Sequence, residues 1–325
     1  MKMAWRSVRE TATFLIIIAA LSLFPLANPP LYLYSLMFYI LMYVALVESW
    51  NIIGGYAGYM SFGHVGFFGI GAYTTALLAI RYGLSPFYTC ILGGLIAALF
   101  AAAVGYPCLK LRGPYFALVT LCIPYILKTV AMNVKWTGAA VGIWLPLPPH
   151  MIRVIMLRLY EAMLVIMAVV VFVARHIERS KMGLGLMAIR EDEEVAESMG
   201  INTTSLKMKA FVISAFFTGI IGGIYAPYIT YVHPATVFNP FVSILIVVMA
   251  IFGGRTTWLG PVVGAVVMTL VDQMLTMVLG AETARIAYGA CLMVLIALMP
   301  EGLVPSLTKY SEWLRKIVRG PGTIS

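Results

Sequence analysis

Charged side chains are scarce in this sequence. It contains 22 Lys and Arg and 13 Asp and Glu, so only 11% of the 325 residues are charged, whereas 62% are hydrophobic. A soluble globular chain is typically ~25% charged. This chain therefore lacks the polar groups that would cover a water-facing surface, which excludes a soluble enzyme. Because a membrane-spanning helix needs roughly 20 apolar residues, the composition predicts an all-α, polytopic transmembrane bundle.

Cysteine and the common catalytic motifs are scarce as well. The four cysteines lie in apolar runs without CxxC spacing, which is typical of small buried side chains rather than of a disulfide or zinc framework. The sequence contains no GxxxxGK(S/T) phosphate loop and no HExxH or GxSxG motif, and its four histidines lack ligand spacing. We therefore expect no catalytic residue, no metal and no cofactor bound by this chain.

Long apolar runs divide the chain into candidate spans. The first follows a basic N-terminus and has no small-residue cleavage site, so we interpret it as a retained span rather than a signal peptide. Two later runs, 241–254 and 286–300, are short enough to be partial, tilted or re-entrant, which gives a range of 8 to 10 spans. The predicted spans are 11–27, 31–50, 61–80, 87–107, 115–134, 156–174, 209–232, 241–254, 258–279 and 286–300.

The distribution of positive charge predicts how these spans are oriented. With the N-terminus inside, 16 of the 22 Lys and Arg residues fall on the cytoplasmic side, in keeping with the positive-inside rule. The net charge of +9 then reflects membrane topology and not a nucleic-acid partner. Both termini are expected in the cytoplasm, within a single transmembrane domain of residues 1–325 that ends in a basic tail at 304–325. The cytoplasmic set is Lys2, Arg6, Arg9, Lys110, Arg112, Arg175, Arg179, Lys181, Arg190, Lys207, Lys209, Arg255, Lys309, Arg315, Lys316 and Arg319.

A glycine-rich stretch at 51–73 is the first candidate functional segment. Two interpretations stand side by side. Glycine permits close helix packing, and it also suits irregular backbone that lines a water-filled route at membrane depth. The residues of this stretch proposed for a translocation path or gate are Asn51, Gly54, Gly55, Gly58, Ser61 and His64.

Two charges inside predicted spans complete that candidate path. Lys128 and Asp272 lie about 20 Å along the fifth and ninth spans, at a rise of ~1.5 Å per residue, and so share a depth. Intramembrane charges tend to pair or to face a cavity. We hypothesise that the two form an ion pair facing the bundle interior. The alternative is that each side chain snorkels to the outer interface.

The segment 175–208 concentrates charge in a chain that is otherwise poor in it. Within it, 183–201 is predicted to form one amphipathic helix that ends at Gly200. An apolar stripe too short to span a membrane favours a helix that lies in a partner's groove or on a surface. The alternative is a solvated interfacial helix without a partner. The predicted apolar side carries Ile189, Val195, Ala196 and Met199.

Several blocks of this sequence resemble one family. EVAESMG at 194–200 is similar to the E-A-A-x-x-x-G signature of ABC-importer permeases, with Val195 in place of the first alanine. Longer blocks resemble branched-chain amino acid permeases of LivM type, and they occur in the family's order over nearly the whole chain after residue 40. These blocks are GGYAGYMSFGHVGFFGIGAYTTALL (54–78), LRGPYFALVTL (111–121), AIREDEEVAESMGINTTSLKMKAFVISAFFTGIIGGIYA (188–226), FGGRTTWLGPVVGA (252–265) and PEGL (300–303).

The resemblance implies the permease subunit of an ATP-driven importer of branched-chain amino acids in a bacterial or archaeal cell membrane. The partners it implies are a homologous second permease, two cytoplasmic ABC ATPase subunits that carry ATP and Mg²⁺, and an extracytoplasmic solute-binding protein. Membrane lipid is the further partner that surrounds the permease. The helix around EVAESMG would seat in an ATPase groove. The ATPase-coupling residues expected from the resemblance are Arg190, Glu191, Glu194, Ala196 and Gly200.

Two positions depart from the family's pattern. TGAAVGI at 137–143 stands where relatives usually carry a Gly- and Asn-rich stretch, and Arg255 stands where they usually carry an apolar residue. Both departures bear on the solute rather than on the fold. An importer of urea or short amides is the alternative within this class, because the urea branch resembles much of the same pattern. An ion-coupled secondary transporter acting alone is the alternative from another class. Such a transporter usually has several ionisable groups near the membrane midplane, and it does not need a charged cytoplasmic helix.

Overall fold

A computed structural model describes residues 16–27, 29–146, 152–280, 283, 284, 286–290, 293 and 302–306. This part of the chain is almost entirely helical. Its helices are α1 (Ile16–Ala27), α2 (Leu31–Gly54), α3 (His64–Tyr82), α4 (Pro86–Cys108), α5 (Pro114–Asn133), α6 (Ile152–Glu178), α7 (Lys181–Glu191), α8 (Glu193–Ser198), α9 (Thr203–Ile229), α10 (Pro234–Val237), α11 (Pro240–Gly253) and α12 (Leu259–Leu279). Two short strands, β1 (Ile143–Trp144) and β2 (Tyr231–Val232), pair in antiparallel fashion.

Eight helical stretches of the described chain are long and apolar enough to cross a membrane: α2 to α6, α9, α10 together with α11, and α12. The prediction of an all-α polytopic membrane protein is therefore confirmed. The helix α1 is shorter than these, and the run predicted at 11–27 begins outside the described residues. The span predicted at 286–300 and most of the basic tail also lie outside them.

The short span predicted at 241–254 is wrong in its extent. Pro234–Gly253 is one span of 20 residues that is interrupted between α10 and α11. The sequence Asn239-Pro240 causes the interruption, because proline starts a helix readily but disrupts a helix interior. The Asn239 side chain then caps the new helix, since its Oδ1 accepts a hydrogen bond from the Phe241 backbone N–H at 3.1 Å.

Glycines let three helices at the centre of the bundle touch backbone to backbone. A Cβ atom on Gly71 of α3 would overlap the carbonyl oxygen of Gly219 in α9, and a Cβ on Gly93 of α4 would lie 3.0 Å from the Gly71 backbone. Such close approach strengthens van der Waals packing where the hydrophobic effect is weak. Beside this unit of α3, α4 and α9, the helix α2 packs on α6, α9, α11 and α12.

The helices end on two faces of the bundle. The helices α2, α4, α6 and α11 end on the face that carries α7 and α8, which we call the α7–α8 face, and α3, α5, α9 and α12 end on the opposite face. Basic residues concentrate on the α7–α8 face, as the predicted threading requires. That this face is cytoplasmic stays a prediction. The described basic residues on it are Lys110, Arg112, Arg175, Arg179, Lys181, Arg190, Lys207, Lys209 and Arg255, against Arg81, Lys135, Arg153 and Arg158 at the opposite face.

The two strands join two loops on the opposite face. Trp144 of β1 pairs with Tyr231 of β2, and their rings lie 4.5 Å apart. The Tyr231 hydroxyl also donates a hydrogen bond to the carbonyl oxygen of Val141 at 2.6 Å. The TGAAVGI stretch, which departs from the family's pattern, is thereby held against the end of α9.

We expect Gly71→Ala to destabilise the bundle, because the new methyl group meets backbone that has no rotamer with which to move aside. Overpacking of this kind typically costs about 1–3 kcal/mol. The measurement is the midpoint of thermal unfolding of the purified protein in mild detergent. Gly289→Ala is the matched control, because no described residue lies within 4 Å of a Cβ at that helical position. Equal midpoints for the two variants would contradict the close contact of α3 with α9.

Candidate coupling site

The predicted amphipathic helix at 183–201 is two helices in the structure. Asp192 ends α7 in an extended conformation and starts α8. Its Oδ1 atom accepts hydrogen bonds from the backbone N–H groups of Glu194 at 2.9 Å and Val195 at 3.1 Å. A short acidic side chain favours such an N-cap over a helix interior. The prediction of a continuous helix is therefore wrong, and the reason is the capping side chain of Asp192.

The end of α8 depends on glycine for its backbone conformation. Gly200 has a φ of +84°, its N–H donates to the carbonyl oxygen of Glu197 at 2.9 Å, and the N–H of Ile201 donates to that of Ala196 at 3.1 Å. These two bonds form the helix-ending motif in which a left-handed residue follows the last turn. Among the residues that the structure describes, none lies within 4 Å of a Cβ at Gly200, so within this part of the chain the requirement is for conformation and not for space.

The four apolar residues predicted on one side of the helix divide into two pairs. Ile189 and Ala196 are buried in a core cluster of this chain, which also contains Phe211 of α9. Val195 and Met199 are 54% and 79% exposed. The prediction that these four residues share one apolar side is therefore wrong, because the break at Asp192 changes the direction of the chain. One pair fixes the segment to the bundle, and the other pair is left at the surface.

A buried ion pair holds α8 against the first turns of α9. The Lys207 ammonium lies 2.5 Å from Glu193 Oε1, and it also donates hydrogen bonds to the Tyr59 hydroxyl at 3.0 Å and the Leu109 carbonyl oxygen at 3.2 Å. Lys207 is only 3% exposed. Three acceptors match the three N–H donors of an ammonium group, so the charge is buried without an unmet hydrogen bond.

The electrostatics of Glu193 follow from this arrangement. Burial acts to raise the pKa of Glu193, but hydrogen bonds from Lys207 and Tyr59 and the charges of Lys207 and Arg112 outweigh burial, so the pKa lies below its ordinary value. Arg112 Nη1 also lies 2.8 Å from Glu194 Oε1. Burial and the hydrogen bond to Glu193 raise the pKa of Tyr59 above its ordinary value. Tyr59 therefore stays protonated, and its hydroxyl donates a hydrogen bond to Glu193 Oε2.

Arg190 joins α7 to the loop between α2 and α3, residues 55–63, which we call the α2–α3 loop. Its Nη1 donates a hydrogen bond to the Gly55 carbonyl oxygen at 3.2 Å, and its Nη2 pairs with Glu191 at 3.0 Å. A Cβ on Gly58, which has a φ of +77°, would lie 2.7 Å from Arg190 Cγ. The absence of a side chain at Gly58 therefore lets Arg190 lie flat on the loop.

The α2–α3 loop is irregular, yet most of it is buried, because neighbouring helices satisfy its polar groups. Trp50 Nε1 donates to the Ser61 carbonyl oxygen at 2.7 Å, and the Phe62 N–H donates to Thr120 Oγ1 of α5 at 3.1 Å. At the start of α3, His64 hydrogen-bonds Ser61 at 3.1 Å and Ser214 of α9 at 2.5 Å. The loop thereby connects the α7–α8 segment to α5 and α9.

The candidate translocation residues fall into two groups. The structure brings Asn51, Gly54, Gly55, Gly58, Ser61 and His64 together in and beside the α2–α3 loop. A Cβ on Gly54 would overlap the Trp50 ring, and one on Gly55 would overlap the Asn51 side chain, so these two glycines serve close packing, the first of the two interpretations. Roles for Asn51, Ser61 and His64 in translocation stay predictions.

Lys128 and Asp272 form the second group, and the structure does not bring them together. Both belong to the described chain, and no salt bridge joins them. Asp272 lies within electrostatic range of Tyr43 on α2, and its helix α12 packs mainly on α11 and α2. Lys128 is half-buried on α5, which packs mainly on α3 and the turns that follow it. The hypothesised ion pair between them is therefore absent.

Comparisons with known proteins decide the family. Residues 31–299 match the sequence profile of the family described as "Branched-chain amino acid transport system / permease component". The chain belongs to this family. It is a membrane-spanning permease component of a branched-chain amino acid importer and a multi-pass protein of the cell membrane. The resemblance to LivM-type permeases is thereby confirmed.

The curated relatives agree with this assignment. The high-affinity branched-chain amino acid transport system permease protein LivM of Salmonella typhimurium is 30% identical over 295 residues, which cover 82% of this permease and 68% of the relative. LivM of Escherichia coli is 29% identical over the same shares. A probable LivH permease of Methanocaldococcus jannaschii is 23% identical over 137 residues, 42% of each chain. No solved structure matches the permease significantly.

The residues that fix the α7–α8 segment were missed from the sequence. The sequence indicates Lys207 only as one of the basic residues of the cytoplasmic set, and it does not single out Glu193. One signal was present, because Lys207 lies in the first turns of an apolar helix while Glu193 lies in the segment just before it. Tyr59 and Arg112 come from loops far away in the sequence, and no local pattern indicates that they meet Glu193.

We expect Lys207→Met to loosen α8 from the permease, because it removes the buried cation and leaves the Glu193 carboxylate with only Arg112, whose Nε lies 3.7 Å away. Removing one partner of a buried pair costs up to about 3–5 kcal/mol, and less for a pair that is partly exposed, as Glu193 is. Hydrogen–deuterium exchange of the peptides spanning 193–206 should speed up. The double variant Glu193→Gln/Lys207→Met should recover much of the protection. Lys209→Met, which alters an exposed lysine on the same helix, is the control, and an equal effect there would refute the role of the pair.

The same exchange experiment yields a pH dependence. Because the pKa of Glu193 is lowered in the folded protein, the ion pair stabilises fully above the ordinary carboxyl pKa of about 4.3. Its contribution is lost as the pH falls through the lowered value. Protection of α8 should therefore be constant from pH 7 to pH 5 and decline only in stronger acid. The Glu193→Gln variant should lack this acid-dependent component.

Proposed function

We propose that this permease takes branched-chain amino acids from an extracytoplasmic solute-binding protein and moves them inward, driven by two cytoplasmic ABC ATPase subunits. ATP and Mg²⁺ belong to those subunits, because this sequence has no phosphate-binding loop. A second, homologous permease completes the membrane-spanning part. The relatives support this composition, since their names distinguish LivM and LivH permeases of branched-chain amino acid transport.

The observation that carries the proposal is the α7–α8 segment. It lies outside the spans, and it is bound to the bundle through Glu193 and Arg190. It exposes Val195 on α8 and Met199 at the C-cap of α8, four residues apart. Side chains four apart on a helix lie on one side of it. A short helix with an exposed apolar side and acidic residues around it fits a groove in a partner subunit. We assign this side of α8 to the ATPase.

The same segment explains how ATPase motion would reach the spans. A partner that moves α8 also moves Glu193, and the ion pair passes that displacement to Lys207 at the start of α9. Arg190 passes it to the α2–α3 loop through Gly55. Because the loop is hydrogen-bonded to α5 and α9, Asn51, Ser61 and His64 lie among the groups that would rearrange.

We expect Met199→Glu to abolish ATPase binding without disturbing the permease, because Met199 is exposed and the added charge would be desolvated in an apolar groove. The measurement is a mild-detergent pull-down of the tagged chain from native membranes, followed by mass spectrometry. Val141→Glu is the matched control, since that side chain is 73% exposed on the opposite face.

The result of the pull-down distinguishes an ATP-driven importer from an ion-coupled transporter. A P-loop ATPase and a second permease that accompany wild type and Val141→Glu, with the ATPase lost from Met199→Glu, would support the importer. If well-inserted wild type brings no ATPase, the ATPase-driven mechanism fails and an ion-coupled transporter takes its place. Uptake of labelled leucine and of labelled urea by the purified complex then separates the two solute classes.

Gly200 yields a second test of the coupling helix. Gly200→Asn should retain ATPase binding and leucine uptake largely, because asparagine tolerates the left-handed conformation. Gly200→Val should impair both, because a β-branched residue at a φ of +84° is strained. Comparable uptake by the two variants would show that the end of α8 has no role in coupling.

A further inference from the structure

A cavity opens between α3 and α5 on the opposite face of the bundle, away from the α7–α8 segment. Its volume is about 430 Å³, within the ~300–1,000 Å³ typical of small-molecule sites. Apolar side chains make up most of its wall, among them Leu77 of α3, Leu127 and Val130 of α5, and Phe238 beyond α10. A wall of this kind suits an aliphatic side chain.

Two polar groups stand out against this apolar wall. The first is the Tyr73 hydroxyl. Tyr73 lines the cavity, is only 6% exposed, and its hydroxyl has no hydrogen-bond partner in the part of the chain that the structure describes. Buried hydroxyl groups are nearly always hydrogen-bonded, so an unpartnered one beside a cavity indicates that a ligand supplies the partner.

The second polar group is the Arg81 guanidinium, which lines the cavity eight residues after Tyr73 on α3. Its Nη2 donates a hydrogen bond to the Trp136 carbonyl oxygen at 3.0 Å. Among the described residues no carboxylate pairs with Arg81. A guanidinium carries five N–H donors and binds carboxylates well, so the remaining donors are available to an anionic group at the mouth of the cavity.

The floor of the cavity lies at the interruption between α10 and α11. The Phe238 ring stacks on Tyr73, with centroids 5.7 Å apart and planes 10° from parallel. A Cβ on Gly69 would overlap the Phe238 ring, so glycine at that position lets the ring lie beside Tyr73. Interrupted helices near the binding site are a recurrent feature of membrane transporters, because their ends leave polar backbone groups for the solute.

We propose that the α3–α5 cavity is the site where this permease receives the amino acid on the outer side of the membrane. Arg81 attracts the carboxylate at the mouth. The aliphatic side chain lies against Leu127 and Val130, and the Tyr73 hydroxyl hydrogen-bonds the polar end of the amino acid once it has moved inward. Arg81 and Tyr73 are separated by roughly 12 Å along α3 at ~1.5 Å per residue, so they act in succession. This assignment rests on the proposed function, and it deepens it by naming the residues that meet the solute.

The test is photo-crosslinking in the complete transporter, purified with its partners and its binding protein and reconstituted in lipid. The probe is a leucine analogue with a diazirine in its side chain. We expect it to label peptides that contain Leu127, Val130 or Leu77, and we expect excess leucine, but not lysine, to suppress the labelling.

Variants of the two polar residues then test their roles. Tyr73→Phe removes only the hydroxyl and should lower labelling and leucine uptake about two- to tenfold, as the loss of one hydrogen bond does. Arg81→Gln should lower both roughly tenfold, because the lost bond is to a charged group. Tyr88→Phe and Arg153→Gln, at positions on the same face that do not line the cavity, are the matched controls. The ATPase activity without binding protein should be unchanged in the two control variants.

The outcomes separate this inference from the function on which it rests. If the complex takes up leucine but the probe labels no cavity peptide, or both polar variants behave as their controls do, the cavity is not the site and the importer function stands. Labelling by a photoactivatable phospholipid that leucine does not displace would show a lipid groove and overturn the inference. A complex that takes up no leucine at all overturns both.

Discussion

The arrangement of the α7–α8 face depends on one buried ion pair. Lys207 cannot remain charged inside the protein unless acceptors surround it, and Glu193, Tyr59 and Leu109 meet that requirement from three separate parts of the chain. Because each acceptor comes from a different segment, the ammonium group fixes α8, the α2–α3 loop and the end of α4 relative to α9. A buried pair of this kind adds little net stability, and its value lies in permitting only one arrangement of these segments.

The central helices are held by a different means. Between α3, α4 and α9, glycine backbones meet directly. Contacts of this kind leave no flexible side chains to absorb a displacement, so the three helices respond as a unit. The permease thus combines an electrostatically fixed segment at one face with a close-packed centre.

Much of this structure could be predicted from the sequence, and the rest could not for identifiable reasons. Composition and apolar runs suffice for the helical bundle, since a span must bury its backbone polar groups within itself. EVAESMG indicates the coupling segment because its residues are contiguous. The break at Asp192 escaped prediction, since the periodicity of apolar residues carries no sign of a side chain that caps. The meeting of Tyr59, Arg112, Glu193 and Lys207 depends on tertiary packing, which no local pattern encodes.

The length of α9 has a consequence for how signals cross the membrane. Its 27 residues run without a break from Thr203, next to the ion pair, to Ile229. Strand β2, which pairs with β1, begins two residues later at Tyr231. At ~1.5 Å per residue this is a rod of about 40 Å, comparable to the bilayer itself. A rotation or displacement of α9 at one end is therefore transmitted to its other end, because no loop interrupts the helix. If the proposed function holds, α9 directly connects the face that receives the solute to the face on which the ATPase acts.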